Sequence, residues 1–553
     1  MRALVDSYMT SDMPGETPAA APGRPLRKPL AVRMAIGGAI AAGATAVVLT
    51  GVAWADDPAT TMASKADLNK LAQGTNLLWI VTSAALVMFM QAGFALLETG
   101  FTRAKNAAHT MSMNIAVFGT GAAGFFICGY AFMFGGYSAN IPGSDWGYST
   151  PIGGSLVGSG QWTFLWKGGF FMGGLPDNIP PGAILGFFLY MLAFMDTAAT
   201  IPTGSMAERW KFKSFALWGF FCGALYYPIF GAWTWGGGWL SQLGNTMGWG
   251  QGYVDFAGSG VVHAVGGVAA LTGAKVLGAR RGKYTKDGKP RGIPGHSIAL
   301  AGAGCLVLMF GWFGFNAGST LQVTDLQFGL VAANTAIAAS FGLCAAMIWV
   351  WFRTGKPDPA MIINGLLAGL VAITAPCAFV DPWAAAVIGL IAGCLVVEAV
   401  FFVDRKVKVD DPVGAVGVHF VNGLWGVLAL GIFASGKYGA DAMGPGLGWN
   451  STTTHVTSGK AAAVGGLISG DVGQFVAQLV GMATIVIVMG GLSFTFFWVS
   501  KRLIGIRSDE ADEIEGLDVP EMGIPAYPDF VGTHEGLGHE GETVPSQKLV
   551  TSS

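Results

Sequence analysis

The chain carries one frame twice. Asp255-Phe-Ala-Gly-Ser-Gly-Val-Val-His263-Ala-Val-Gly-Gly267 aligns without gaps on Asp411-Pro-Val-Gly-Ala-Val-Gly-Val-His419-Phe-Val-Asn-Gly423. The copies share Asp255/Asp411, Gly258/Gly414, Val262/Val418, His263/His419, Val265/Val421 and Gly267/Gly423. Both lie in apolar segments, where an ionisable side chain is costly and marks function. Only 12% of the 553 residues are charged, against about 25% in a soluble chain. A duplicated frame in such a chain predicts a membrane protein built from internal repeats, with its site where the repeats meet.

Eleven apolar segments of roughly bilayer-crossing length follow the N-terminal region. Their approximate limits are 77–101, 112–135, 182–205, 214–241, 257–279, 297–319, 327–351, 360–377, 383–403, 413–434 and 474–500. Alternate loops hold Arg103, Lys105, Arg209, Lys211, Lys213, Arg280, Arg281, Lys283, Lys286, Lys289, Arg291, Arg353, Lys356, Arg405, Lys406 and Lys408. The loops between them hold Lys167, Lys437 and Lys460. A bias of sixteen to three places the first set in the cytoplasm, the mature N-terminus outside and the C-terminus inside.

Arg24, Arg27, Lys28 and Arg33 precede an apolar run from Ala35 to Val52, and Ala53-Trp54-Ala55 offers a small-x-small cleavage site. Residues 1–55 therefore read as a signal peptide, with an uncleaved anchor as the alternative. The membrane domain is expected over 56–503, an acidic cytoplasmic tail over 504–530, and a disordered C-terminus over 531–553.

His263 falls on the fifth span, entered from outside, and His419 on the tenth, entered from the cytoplasm. Each lies eight residues beyond its aspartate, about 12 Å deeper at about 1.5 Å per residue. Five spans separate the frames, so the second copy is inverted. The fold class is thus all-α and polytopic: two inverted five-helix repeats plus a final helix, bringing the histidines together. Asp255 and Asp411 suit helix N-caps. Asp255, at the outer mouth, could also act on a cation.

A hydrogen-bonded imidazole pair can pass a proton or hold a small polar molecule. Packing histidines and bis-histidine haem ligation are the competing readings, and glycine-rich packing argues against haem. Aromatic residues near the outer ends of neighbouring spans favour handling of a cation. These are Gly311-Trp312-Phe313-Gly314-Phe315-Asn316-Ala317-Gly318-Ser319 and Trp233-Thr234-Trp235. An interfacial aromatic belt also explains tryptophans there; Trp233, Trp239 and Trp249 read as belt, while Trp235 fits either. The six cysteines read as buried packing residues with no metal spacing. His109, His296 and His455 read as surface or interface residues. Two further intramembrane acids stand out. Asp196 is expected to bond helix backbone, with burial beside the pore as the alternative; Glu98 reads in the same way and is left without a step.

From Asn76 to Phe530 the chain resembles the ammonium transporters (Amt/Mep/Rh). The resemblance rests on Arg103-Ala-Lys-Asn106, Gly204-Ser-Met-Ala-Glu-Arg209, the two aspartate–histidine frames and Gly311 to Ser319. Gln91-Ala-Gly-Phe-Ala-Leu-Leu-Glu98-Thr-Gly-Phe-Thr-Arg103 is similar to the Amt branch. The resemblance implies ammonium recruitment at Phe194, Trp235 and Ser319, supported by Asp255. It implies a gate of Phe194 stacked on Phe315, and a pore lined by Trp312, His263 and His419. It also implies a homotrimer, a tail packed on a neighbouring subunit, and a PII signal protein as cytoplasmic partner. Pro520 stands where plant members carry a phosphorylatable threonine, which removes that switch. No enzymatic step, cofactor or nucleic-acid partner is expected.

Physics accounts for these residue types. Ammonium and potassium have similar size and charge, but only ammonium can give up a proton. An apolar bore penalises retained charge, so ammonia crosses neutral and the histidine pair is the route for an accompanying proton. An ammonium sensor using the same site is the second reading; the roughly fifty residues after the last span are too few for an appended kinase or cyclase domain.

Overall fold

In the computed structural model the described residues are 64–136, 152–177, 181–323, 327–438, 456–457, 460–461 and 463–528. The readings for residues 1–55 and 531–553, and for His455, lie outside them. Contacts divide the chain into two units, Met1–Ala66 and Asp67–Ser553. The second unit holds the histidine pair and, apart from the first two residues of the first helix, every span.

Ten helices among the described residues are long and apolar enough to cross a bilayer: α1 (Lys65–Phe101), α2 (Ala104–Phe134), α3 (Pro181–Met206), α4 (Phe212–Thr234), α5 (Ser259–Leu277), α6 (Ile298–Thr320), α7 (Gln327–Thr354), α9 (Pro382–Val407), α10 (Val416–Phe433) and α11 (Val472–Leu503). The eighth segment is the shorter apolar helix α8 (Pro359–Ile373). It ends before the expected limit of 377 because its last turn is committed elsewhere. The amides of Phe256 and Ala257 donate to the carbonyls of Ala375 and Thr374, and Ser259 Oγ donates to Val371 O (2.7 Å) while accepting from Ala375 N (2.6 Å). The approach to α5 and the end of α8 thus satisfy each other's free backbone groups, as the absence of water in a bilayer core demands. Helix α1 starts at Lys65 rather than near 77. Its first turns are polar, so hydropathy marks only the part that crosses.

Between α2 and α3 an antiparallel hairpin, β1 (Gly154–Ser159) and β2 (Trp162–Lys167), lies on the end of α4. Trp233 Nε1 donates to Phe164 O at 2.8 Å. Trp233 is buried, so it is a packing residue under this hairpin and not part of a belt. The apolar segment patterns gave no sign of the hairpin.

The basic loops gather on one face. Glu208 pairs with Arg103 and with Arg280, and the Arg280 guanidinium pairs with Asp410 at 2.9 Å through both Nε and Nη2. Arg209 donates to the carbonyls of Ser205, Gly278 and Asp410. Four interhelical connections are joined in this way: Glu208, Arg280 and Asp410 are ion-paired, and the buried Arg209 is satisfied by backbone carbonyls. The tail returns to the same face. Lys211 N donates to Ile506 O, Arg507 grips Glu513, and the amides of His109 and Leu517 bond Asp518 Oδ1 and Asn106 Oδ1. Short helices α12 (Glu510–Glu515) and α13 (Asp518–Met522) result. The tail is therefore held by its own chain's loops. His109, read as a surface or interface residue, is fully buried against the tail, with Nε2 3.4 Å from Glu521. Of the cysteines, Cys344 is exposed and Cys128 and Cys394 are partly so, because they face outward from helices whose other side packs.

Candidate functional site

Each repeated frame folds in the same way. Asp255 accepts hydrogen bonds from the amides of Gly258, Gly260 and Val261 (2.8–2.9 Å). Asp411 accepts from Gly414, Ala415 and Val416 (2.8–3.1 Å). Gly258 and Gly414 have φ of 113° and 83°, conformations that a side chain disfavours, and this turns the chain into the helix. Each helix then opens with a wide π turn, Ser259–Ala264 and Val416–Val421, which carries the histidine. Such turns are uncommon and concentrate at functional sites.

The two openings meet. His263 Nδ1 and His419 Nδ1 lie 3.2 Å apart, with rings 5.3 Å between centroids. One nitrogen must carry the hydrogen and the other accept it. His263 is sealed, and its Nε2 has no hydrogen-bond partner among the described residues. Its ring stacks on Trp312 (5.0 Å) and Phe315 (5.4 Å). Trp312 is itself fixed by Nε1 donating to Thr374 Oγ1 at 3.0 Å.

Above the histidines, toward the face opposite the basic loops, Phe315 stacks on Phe194 at 4.0 Å and 20°. Trp235 lies edge-on to Phe194 at 5.8 Å, its indole N–H held by Asp255 O at 2.8 Å. Ser319 Oγ donates to Phe315 O at 2.7 Å, which leaves its lone pairs to accept. Tyr190 was not anticipated: its hydroxyl is 3.0 Å from Ser319 Oγ and its ring 4.6 Å from Phe194. The available signal was its place four residues before Phe194, on the same helix face. All nine residues expected at the site, Phe194, Trp235, Asp255, His263, Trp312, Phe315, Ser319, Asp411 and His419, fall on this one structure. Seven of them form or flank a single column of rings; Asp255 and Asp411 bind the helix starts.

The two further acids differ in their surroundings. Asp196 is buried, and its Oδ1 meets no hydrogen-bond partner among the described residues, so that oxygen does not bond helix backbone. Glu98 is fully engaged, by Thr203 and Asn114.

The family profile described as Ammonium Transporter Family matches residues 78–527. Ammonium transporter Amt2 of Archaeoglobus fulgidus is 43% identical over 461 residues, covering 83% of this chain and 89% of that protein. Ammonium transporter 1 member 3 of Solanum lycopersicum is 32% identical, covering 82% and 93%. Among solved structures, one titled Sensor Amt Protein aligns with a TM-score of 0.68 at 33% identity, over 82% of this chain and 99% of that one. Candida albicans Mep2 aligns at 0.64 and 26%, over 83% and 92%. A profile spanning most of the length and relatives above 30% identity across four-fifths of it place the chain in the ammonium transporter family.

Proposed function

We propose that this protein carries ammonium across the cell membrane, with the basic face in the cytoplasm. Ammonium is recruited beside Trp235, Phe194 and Ser319, loses its proton above the Phe194–Phe315 stack, and passes as ammonia along Trp312, His263 and His419. The proton crosses by way of the imidazoles. The observation that carries this reading is the continuous column Trp235–Phe194–Phe315–His263–His419, with successive ring centroids 5.8, 4.0, 5.4 and 5.3 Å apart.

The chemistry derives from the packing. An indole and a phenyl ring attract a cation that has shed water, and a serine hydroxyl whose hydrogen is already given to Phe315 O offers it an acceptor. The stacked phenylalanines leave no room for a hydrated ion, and the apolar walls penalise a bare one. Ammonium escapes this penalty by releasing a proton, which potassium cannot do. The histidine pair then offers hydrogen-bonding nitrogens among the rings of Trp312, Phe315 and Phe94. We further propose a homotrimer with one pore per subunit, and a PII signal protein acting on the cytoplasmic face through the tail.

The test is ammonium-evoked current in proteoliposomes, with potassium as control and a His263/His419 double replacement beside wild type. A saturating current with ammonium alone, lost or made unselective in the variant, is the expected result. Likeness to a protein titled a sensor favours one second reading, binding at this site without transport. Tight ammonium binding with neither current nor ammonia-driven pH change would establish it.

A further inference from the structure

Glu98 lies on α1 one turn beyond Phe94, whose ring is 6.2 Å from that of His419. Four residues advance a helix by about 6 Å on the same face. Because α1 runs into the loop holding Arg103 and Lys105, Glu98 sits on the basic-face side of the histidine pair. A Cβ built on Gly204 would meet both Glu98 Oε1 (2.8 Å) and Val413 Cγ2 (2.5 Å). Glu98 therefore converges with the first turn of the His419 frame. Asp411, which starts that frame, is bound by three amides.

The hydrogen bonds around Glu98 suit two protonation states. Thr203 Oγ1 lies 2.7 and 2.6 Å from the two carboxyl oxygens and 2.5 Å from Thr200 O. A hydroxyl has one hydrogen. Donation by Thr203 to Glu98 suits the carboxylate, which only accepts. When Thr203 turns to Thr200 O, its oxygen can accept a hydrogen from a protonated Glu98. Asn114 Nδ2 holds Oε2 at 2.8 Å in either state. A tie between helices would need only an amide at this position. Retaining a carboxyl inside a bilayer, where a charge is costly, signals use of its proton.

We propose that Glu98 is the proton carrier between the histidine pair and the basic face, a role that rests on the transport reading above. At the opposite face an N–H bond of ammonium breaks, and the proton passes along the imidazoles, each accepting at one ring nitrogen and releasing from the other. A Glu98 oxygen forms an O–H bond as the imidazolium N–H breaks. That O–H bond breaks in turn as the lone pair of ammonia takes the proton, which regenerates ammonium and the carboxylate. Thr203 reorients between Thr200 O and Glu98 at each cycle.

The test uses the full chain in proteoliposomes, with ammonium-evoked current and ammonia-driven alkalinisation of the lumen recorded in parallel. Glu98→Gln keeps the shape and cannot carry the proton. Its current is expected to fall about a hundredfold, the scale of a lost acid–base group, with alkalinisation largely kept. Glu98→Asp is expected to recover part of the current. Equal loss of current and alkalinisation in Glu98→Gln would assign Glu98 a structural role and overturn the proposal. Full current in Glu98→Gln would overturn it while leaving the transport reading intact. A wild type that alkalinises without current would remove proton co-transfer and this role together. Should Glu98→Gln fail to fold, Thr203→Val decides: an undiminished current overturns the proposal.

Discussion

Gly267 and Gly423, four residues past their respective histidines, face each other's frames at van der Waals limits. A Cβ on Gly267 would lie 2.3 Å from Phe420 N and 2.8 Å from His419 C; one on Gly423 would lie 2.5 Å from Ser259 O and 2.7 Å from Ala264 N. The neighbours are backbone atoms, which cannot step aside. This reciprocal contact sets how closely α5 and α10 cross, and so sets the 3.2 Å between the imidazole nitrogens. Small residues commonly serve close helix approach in membranes. Gly423→Ala is expected to cost about 1–3 kcal/mol through overpacking and to separate the histidines. A fall in melting temperature together with loss of ammonium-evoked current is the expected observation; a variant with unchanged current would show that the close approach is not needed.

The two stacked phenylalanines carry different burdens. Phe315 also packs on His263 and Trp312, whereas Phe194 packs on Tyr190 and Trp235. Phe315→Ala is therefore expected to release the histidine ring and abolish transport, at about 3–5 kcal/mol of stability. Phe194→Ala opens the recruitment side alone and is expected to retain current with poorer exclusion of potassium. Current–selectivity measurements on the two variants check this; equal behaviour would refute it.

Trp235 presents its ring edge to Phe194 while its N–H is anchored on Asp255 O. Trp235→Leu removes the cation-attracting face without unseating the aspartate's amide bonds. A desolvated cation–π contact of about 1–2 kcal/mol corresponds to a roughly tenfold rise in the ammonium concentration giving half-maximal current. A concentration series on wild type and variant tests it, and an unchanged midpoint would place recruitment elsewhere.

Asp410 gives a pH dependence outside the spans. Burial pushes its carboxyl up, but the charges of Arg209 and Arg280 and the Arg280 hydrogen bonds outweigh burial and hold it well below the usual carboxylate range. Its value is thus lower folded than unfolded. The stabilisation is fully present above the unfolded value of about 3.9 and is lost as pH falls below it toward the folded value. Asp410→Asn leaves buried guanidinium groups underpaired, which is expected to cost about 3–5 kcal/mol at neutral pH. Its melting temperature should then fall less steeply with acid than wild type's. Parallel acid profiles would show that Asp410 is not the responsible group.

Much of the architecture was legible in the sequence. Eleven apolar segments, the one-sided lysines and arginines, and a duplicated frame at an odd spacing imply inverted repeats, because bilayer thickness and backbone satisfaction leave a spanning segment few options. The pairing of His263 with His419 follows from that symmetry. Aromatic residues such as Trp312 and Ser319's neighbour Phe315 could be placed near the site by position, yet Trp233 and Trp235 carried the same hydropathic signal. One proved to be packed under a hairpin and the other to face Phe194.

What the sequence determined by itself was the membrane class, the repeat and the meeting of the two frames, all properties of local pattern and chain direction. What only the tertiary structure decided depends on contacts between distant segments. The α8 terminus gave up its last turn to the approach of α5, Tyr190 joined the Ser319 hydroxyl, and His109 was buried by the returning tail. Glu98, unassigned in the sequence, came to rest between Thr203, Asn114 and the His419 frame. Periodicity records which face of a helix is apolar; it holds no information on which hydroxyl or amide another helix will bring to a buried carboxyl, and that partner is what decides whether the acid is a tie or a proton site.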